Sequence, residues 1–315
     1  MQIRNLIVAV IVLLSFEKFA KAVDILYVTA SATASYPDSI ITYDTSGVLG
    51  STIEATLATF VSYPSTPGSI PIQPVGLVFN TSGDLYVSTF YGNTIKKFNS
   101  AGIFQSSITS NINAPYGMAF DSSGNLYVAN NAVSNSTISK FNSDGVYLSS
   151  ISTNLNWPAG LAIDSSGNIY SANGDSTISK FNSAGVYQSS ITTNLNAPVG
   201  IAFDSSGNIY AANSSDNTIS KFNSAGVYLS SINTNLNRPV GLAFDSSGNM
   251  YASNAGNNTI SKFNASGSFL TSWSTGISRP RLIAFKPVSV PEPSTYILAT
   301  IAASTLAYVA HRRKK

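Results

Sequence analysis

From residue 74 to residue 279, short apolar runs alternate with clusters of Asp, Asn, Ser and Gly, and the three- and four-residue apolar spacing of a helical face is absent. The pattern repeats itself. Pro115-Tyr-Gly-Met-Ala-Phe-Asp-Ser-Ser-Gly-Asn-Leu-Tyr returns from Pro158, Pro198 and Pro239, and in weaker form from Pro74. Thr137-Ile-Ser-Lys-Phe-Asn-Ser returns from Thr177, Thr218 and Thr259, with Thr94-Ile-Lys-Lys-Phe-Asn-Ser as the earliest copy. Self-similarity at a period of 40 to 43 residues marks a repeat architecture. Each unit holds four strand candidates. In the unit that opens at Pro158 they cover 159–164, 168–172, 177–182 and 186–192. Asp164-Ser-Ser-Gly-Asn168 joins the first two and Asn182-Ser-Ala-Gly185 the last two. An Asp or Asn that bonds its local backbone, followed by a Gly for positive φ, suits a tight hairpin. Four antiparallel strands in one such unit describe a propeller blade.

The ends of the repeat region complement each other. Ile25-Leu-Tyr-Val28 aligns with a second strand, residues 39–45 (SIITYDT) with a third and residues 47–53 with a fourth, so the first blade lacks its own first strand. Pro280-Arg-Leu-Ile-Ala-Phe285 aligns with a first strand and nothing more. The expected fold is therefore all-β: a six-bladed β-propeller of four-stranded antiparallel blades over residues 23–287, closed by the C-terminal strand joining the N-terminal blade. Such closure removes the unpaired edges that an open stack would expose. The unit P-x-G-[LI]-A-[FI]-D-S-S-G-N-[LI]-Y resembles the NHL repeat. That resemblance implies an NHL-type propeller, a class that includes lactonases, lyases, RNA-binding modules and protein-binding modules, so it implies no single activity.

The termini carry a different pattern. Arg4 precedes an almost unbroken apolar run at 6–16 (LIVAVIVLLSF), and Ala20-Lys21-Ala22 offers small residues at both positions of an A-x-A cleavage site. Residues 1–22 read as a signal peptide cut after Ala22; an uncleaved anchor is the other reading, for which the run is short. Residues 288–315 form a second address. Val290-Pro291-Glu292-Pro293-Ser294 is hostile to helix. Residues 295–310 then form a separate transmembrane helix candidate, at the short edge for a span, and His311-Arg312-Arg313-Lys314-Lys315 marks its cytoplasmic side. Pro-Glu-Pro, an apolar helix and a terminal Arg/Lys cluster, in this order, resemble a PEP-CTERM sorting signal. The resemblance implies an exosortase-like sorting enzyme as partner, a helix that anchors the chain transiently or permanently, and delivery to the cell surface or extracellular matrix of an exopolysaccharide-producing bacterium. A plain single-pass anchor is the alternative.

Composition then narrows the chemistry. The 315 residues contain no cysteine and one histidine, His311 in the tail. Disulfides, thiolate metal sites and a cysteine nucleophile are excluded, as is nearly all histidine acid–base chemistry. The net charge of +3 belongs to the two termini, because residues 23–291 hold 10 Lys/Arg against 12 Asp/Glu. A near-neutral body without clustered basic residues is not a nucleic-acid binder.

Repetition also sorts the candidate residues, since a position constant in every blade serves the blade and a variable one is open to function. Asp121, Asp164, Asp204 and Asp245 are constant, and hairpin chemistry explains them; calcium binding by their oxygens is the alternative, and no metal ligand is assigned. Lys97, Lys140, Lys180, Lys221 and Lys262 are expected as outer-strand lysines in solvent that discourage edge pairing, with a basic ring for acidic polysaccharide as the alternative. The opposite face, the mouth, collects the variable loops. Near the repeat proline these present Gln73, Tyr116, Trp157, Arg238, Arg279 and Arg281. The loops between second and third strands present Phe90, Tyr91 and the Asn-rich stretches 130–135, 173–175, 213–216 and 254–258. Phe90, Tyr91, Tyr116, Trp157, Arg238, Arg279 and Arg281 form the candidate ligand-binding set. Aromatic faces cover apolar sugar faces, and Asn amides bond hydroxyls in both directions. The same loops also fit a role in solubility alone.

No catalytic residue is assigned. Acids available to inner loops are few (Asp84, Asp175 and Asp216), and no Ser/His set or phosphate loop exists. The expected function is an exported binding or interaction module in an exopolysaccharide or biofilm layer, with a polysaccharide or surface protein as partner. A metal-dependent lactonase, hydrolase or lyase of the six-bladed class, and a passive scaffold or adhesin, are the alternatives.

Overall fold

The structure is a computed structural model that describes residues 24–30, 39–44 and 73–287. The expected signal peptide, the expected strand at 47–53 and the expected sorting signal with its helix lie outside the described residues. Among the described residues every regular element is a strand, and no helix is long and apolar enough to cross a membrane.

Five sheets of four consecutive antiparallel strands form blade 2 (residues 74–108), blade 3 (115–151), blade 4 (161–191), blade 5 (198–232) and blade 6 (239–274). Blade 1 draws on both ends of the chain. Pro280–Phe285 pairs antiparallel with Ile25–Ala30, in a register that sets Leu26 against Phe285 and Val28 against Ile283. Ile25–Ala30 pairs in turn with Ser39–Asp44. The expected closure is thus present. The innermost strands also touch in cyclic order, from Pro74–Phe79 through each blade to Pro280–Phe285 and back, which makes a closed six-bladed ring.

The hairpins follow from the turn residues. In blade 4, Asp164 Oδ1 accepts the backbone N–H groups of Ser166 at 2.9 Å and Asn168 at 2.8 Å, while Gly167 supplies φ 81°. Burial falls from the second strand outward. Ile169–Asn173 is buried along its whole length, and the fourth strand, Tyr187–Ile191, is mostly exposed. Between blades, layers such as Tyr170, Ile178, Ile201, Ile209 and Phe222 form the apolar core. The first strand of blade 4 is shorter than expected, Leu161–Ile163, although Ala159 still donates to the Ala172 carbonyl at 2.8 Å.

The glycine of the repeat is explained at the inner ring. A Cβ on Gly160 would lie 2.1 Å from the Val199 carbonyl oxygen of blade 5, so only glycine lets neighbouring inner strands approach this closely. Behind this contact the channel narrows to a void of about 60 Å³, lined by Leu77, Met118, Leu161, Ile201, Leu242 and Leu282 among others. Gly117, Gly160 and Gly200 line the same void, and Met118, Leu161, Ile201 and Leu242 also belong to the cores between blades.

Candidate functional site

Strand direction divides the ring into two faces. First-to-second and third-to-fourth hairpins lie on the turn face. The fourth-to-first and second-to-third loops lie on the mouth. At the mouth, the residue before each repeat proline adopts a left-handed backbone: Gln73 (φ 48°), Ala114 (48°), Trp157 (48°), Ala197 (47°), Arg238 (49°) and Arg279 (50°). A residue before proline is normally pushed to extended conformations, and left-handed φ is unfavourable for any side chain with a Cβ.

Hydrogen bonds from the loops hold this conformation. The loop of the preceding blade accepts the pre-proline N–H: Asn93 Oδ1 from Ala114 at 2.7 Å, Ser136 Oγ from Trp157 at 3.0 Å, Ser176 Oγ from Ala197 at 3.0 Å, Asn217 Oδ1 from Arg238 at 2.6 Å and Asn258 Oδ1 from Arg279 at 2.8 Å. In blades 2, 3, 5 and 6 the loop of the same blade also donates to the pre-proline carbonyl, as Phe90 does to Gln73 at 2.9 Å and Ala255 to Arg238 at 3.0 Å, whereas in blade 4 Gly174 donates to the Asn156 carbonyl at 2.7 Å. The backbone is fixed and the side chain varies. Each blade thus presents one interchangeable residue at the mouth.

The variable residues separate into two sectors. Phe90 lies 5.1 Å from Tyr91 and 6.3 Å from Tyr116, ring centroid to centroid, so these three candidates form one cluster across blades 2 and 3. Tyr91 is 58% exposed. Trp157, 49% exposed, stands one blade further on, over Gly174, where a Cβ would lie 3.0 Å from its ring. Arg238 and Arg279 are exposed on blades 6 and 1, and Arg281 is half-buried beside them in sequence. The mouth therefore has an aromatic sector over blades 2 to 4 and a cationic sector over blades 6 and 1.

The Asn-rich loop ends are not available to a ligand in the way their sequence suggests. Asn130, Asn173, Asn213 and Asn254 are buried. Asn213 Nδ2 donates to Thr218 Oγ1 at 3.0 Å and Ser220 Oγ at 2.9 Å, and Ser220 Oγ donates to the Asn194 carbonyl at 2.6 Å. The same network recurs around Asn130, Asn173 and Asn254. These amides fasten each loop to its blade.

The lysine column is also placed differently from expectation. The third strand is interior to the blade, and each lysine lies across from the second-strand tyrosine, as Lys180 does from Tyr170. The ammonium groups of Lys97, Lys140, Lys180, Lys221 and Lys262 sit 4.9 to 5.4 Å from the tyrosine ring centroids. Lys140 Nζ is also 3.6 Å from Asp121, and Lys221 Nζ 3.6 Å from Asp204. Burial lowers the Lys140 and Lys221 pKa, but the tyrosine and aspartate beside each outweigh it, and the net shift is upward.

The turn aspartates are likewise engaged. Asp204 Oδ1 accepts N–H groups from Ser206 at 3.0 Å and Asn208 at 2.9 Å, and Oδ2 accepts Asn208 Nδ2 at 2.8 Å and the Tyr210 hydroxyl at 3.3 Å. The candidate inner-loop acids do not converge. Asp84 lies on the turn face, 3.5 Å from Lys97, and Asp175 and Asp216 each accept the hydroxyl of the nearby Thr177 or Thr218. Among the described residues no group of three acidic or histidine side chains is placed to hold a metal.

No protein-family model matches the sequence, and no curated protein matches it. Solved structures do resemble the fold. A protein of unknown function from Bacteroides caccae matches with TM-score 0.66 and 16% identity, over 85% of this chain and 100% of that one. A streptogramin B lyase matches with TM-score 0.61 and 18% identity, over 82% of this chain and 86% of that one. The virginiamycin B lyase of Staphylococcus aureus matches with TM-score 0.59 and 15% identity, over 81% and 87%. At these identities the likeness is one of fold: a six-bladed β-propeller.

Proposed function

We propose that this chain is an exported, surface- or matrix-associated propeller whose mouth binds an acidic glycan. The observation that carries the reading is the pre-proline position. Six equivalent backbones are held in a strained left-handed conformation, while the residue they display changes from Gln73 to Trp157 to Arg279. Strain that is kept while the side chain varies points to a display surface. An aromatic sector to cover pyranose faces and an arginine sector to pair with carboxylates fit an anionic saccharide.

The NHL-type repeat and the PEP-CTERM-type tail supply the rest of the reading. Residues 1–22 direct export, and Val290, Pro291, Glu292, Pro293, Arg312 and Arg313 form the signal for an exosortase-like enzyme.

The lyase alternative has less support. A histidine-to-alanine variant of the Staphylococcus aureus virginiamycin B lyase is catalytically inactive. The only histidine here, His311, falls in the C-terminal tail and outside residues 24–287.

Titration with oligogalacturonate tests the mouth. Trp157→Ala and Arg238→Ala are each expected to weaken binding at least about tenfold. Binding that survives both changes overturns the assignment. Deleting Pro291-Glu292-Pro293 is expected to move the protein to a different cell fraction, and an unchanged location defeats the sorting reading.

A further inference from the structure

Blade 3 carries a second concavity, at the outer rim of the mouth, where its loops meet its fourth strand. Its loop between second and third strands spans residues 131–136, against 174–176 in blade 4 and 214–217 in blade 5. Val133 in this loop is 85% exposed. Beside the loop lies a groove of about 350 Å³ on the outer wall of the blade, lined by Asn111, Asn113, Asn135, Thr137, Tyr147 and Ser150 among others.

We propose that this groove binds a neutral saccharide. No charged residue lines it. An anion would find no cation there, and a cation no carboxylate. Asn111, Asn113 and Asn135 are exposed, and no hydrogen bond among the described residues uses their side-chain amides. Each amide offers two donor hydrogens and a carbonyl acceptor, which is the complement of a ring of sugar hydroxyls. Tyr147 supplies the apolar element. Its ring is braced edge-on against Phe141 at 5.9 Å, and its hydroxyl donates to Ser150 Oγ at 3.2 Å, so the ring is held in place. A fixed aromatic face suits the C–H face of a pyranose.

The wall behind these groups is rigid. Asn130 Nδ2 donates to Thr137 and Ser139, both at 2.9 Å, and Ser139 donates to the Asn111 carbonyl at 2.8 Å. The volume falls within the range of about 300–1,000 Å³ typical of small-ligand sites, and a concavity of this size is too small for a stable protein interface. The tyrosine–serine pair itself recurs in blades 4 and 5, as Tyr187 with Ser190 and Tyr228 with Ser231, both at 3.0 Å. What sets blade 3 apart from blades 4 and 5 is Asn135, two residues before the third-strand threonine, where those blades carry Asp175 and Asp216, each bonded to that threonine.

The proposal does not rest on the mouth reading, and the test separates the two. The full chain is titrated with cellotetraose and maltotetraose, as neutral probes, up to about 10 mM, the weak end of specific binding. At least one is expected to bind, with Asn135→Ala and Tyr147→Ala each weakening it about tenfold or more. Tyr187→Ala, the same position in blade 4, and Trp157→Ala are expected to leave it unchanged. Asn135 lies in an exposed loop, so its variant keeps the proposal testable if Tyr147→Ala fails to fold. Absence of binding by both probes overturns the proposal, as does wild-type binding by Asn135→Ala. Loss of binding in Trp157→Ala would assign the neutral sugar to the mouth instead.

Discussion

Between blades 2 and 3 the contact at the inner ring runs through Ser88, which accepts the Gly76 N–H at 2.8 Å and donates to the Tyr116 carbonyl at 2.6 Å. Between blades 3 and 4 the same position is Ala129, and Gly117 N–H donates directly to the Ala159 carbonyl at 2.9 Å. The hydroxyl version recurs at Ser253 in blade 6, which links Gly241 to the Arg281 carbonyl. In blade 1 the position is Thr29, whose hydroxyl lies 2.7 Å from the Val75 carbonyl and 3.0 Å from that of Leu282. Blades 6, 1 and 2 therefore carry hydroxyls, and blades 3, 4 and 5 carry Ala129, Ala172 and Ala212. The hydroxyl half is the half that contains the closure. Side-chain hydroxyls bridge the junctions from blade 6 to 1, 1 to 2 and 2 to 3, whereas close backbone approach serves those among blades 3 to 6. Blade 1 departs further, because Leu282 occupies the place of the repeat glycine and lines the small void at the inner ring.

The largest expected effect tests what the halves share. Gly160→Ala, in the alanine half, and Gly76→Ala, in the hydroxyl half, would set a Cβ 2.1 Å and 2.0 Å from a backbone carbonyl oxygen of the next blade. Backbone does not move aside as a flexible side chain does. Each variant is expected to lose about 3 kcal/mol or more, at the upper end of overpacking costs, in denaturant melts. A tolerated alanine in one half alone would show that the two inner rings differ in spacing as well as in hydrogen bonding.

The next effect tests what they do not share. Thr29→Val keeps the shape and removes the hydroxyl, leaving two buried carbonyls without this donor, at an expected cost of about 1–3 kcal/mol. Ser88→Ala is expected to cost less, below about 1 kcal/mol, because Gly76 N–H can then donate to Tyr116 as Gly117 does to Ala159. Equal losses in the two variants would break the comparison.

Acid provides a milder probe, directed at blades 3 and 5. Partial burial pushes the Asp121 and Asp204 carboxyls up, but the hydrogen bonds from Asn125 and Asn208, with the nearby Lys140 and Lys221, outweigh it, and both are held below the ordinary carboxylate value. A depressed folded-state pKa means that the unfolded chain takes up the proton first. The stabilisation is therefore complete above the unfolded value of about 3.9 and is lost as pH falls through and below it. Melts from pH 6 to pH 3 are expected to show this loss, with a shallower acid slope in Asp204→Asn. An unchanged slope would mean that the turn aspartates do not set the acid limit.

The repeat, the hairpins and the closure were legible because turn residues and strand lengths act locally. The asparagines at 130, 173, 213 and 254 were not. A polar residue at the end of a strand reads as loop, and only the fold places Ser139 or Ser220 within reach of its amide. Their constancy in blades 3 to 6 was the available signal, the same signal that identified the turn aspartates. The lysine column was misplaced for a related reason: the fourth strand covers the third, so a lysine opposite a tyrosine lies against the ring and not on an edge. The aromatic and arginine positions were readable as mouth residues, whereas their left-handed backbone was not, since Trp157-Pro158 and Arg238-Pro239 read as extended pairs. The blade 3 groove was signalled only by Asn135, at a position where blades 4 and 5 carry Asp175 and Asp216.

The smallest expected effect concerns that left-handed position and asks whether its strain belongs to the repeat or to the closure. Ala197 at φ 47° lies in the alanine half, and Arg279 at φ 50° lies where the chain enters the closing strand. At an ordinary position, glycine loosens the unfolded chain and lowers stability. At positive φ it also removes the Cβ clash that the folded chain bears, and this relief outweighs the loss. Ala197→Gly is therefore expected to gain about 0.5 kcal/mol, seen as a rise of roughly 1–2 °C in the melting midpoint. Arg279→Gly should gain a similar amount if the strain is a property of every blade. A gain at Ala197 with a loss at Arg279 would mean that the arginine side chain stabilises the closure, and the cationic sector would then have a structural role in addition to binding. Losses at both would mean that the hydrogen bonds at each loop already offset the strain, leaving glycine with only its cost in the unfolded chain.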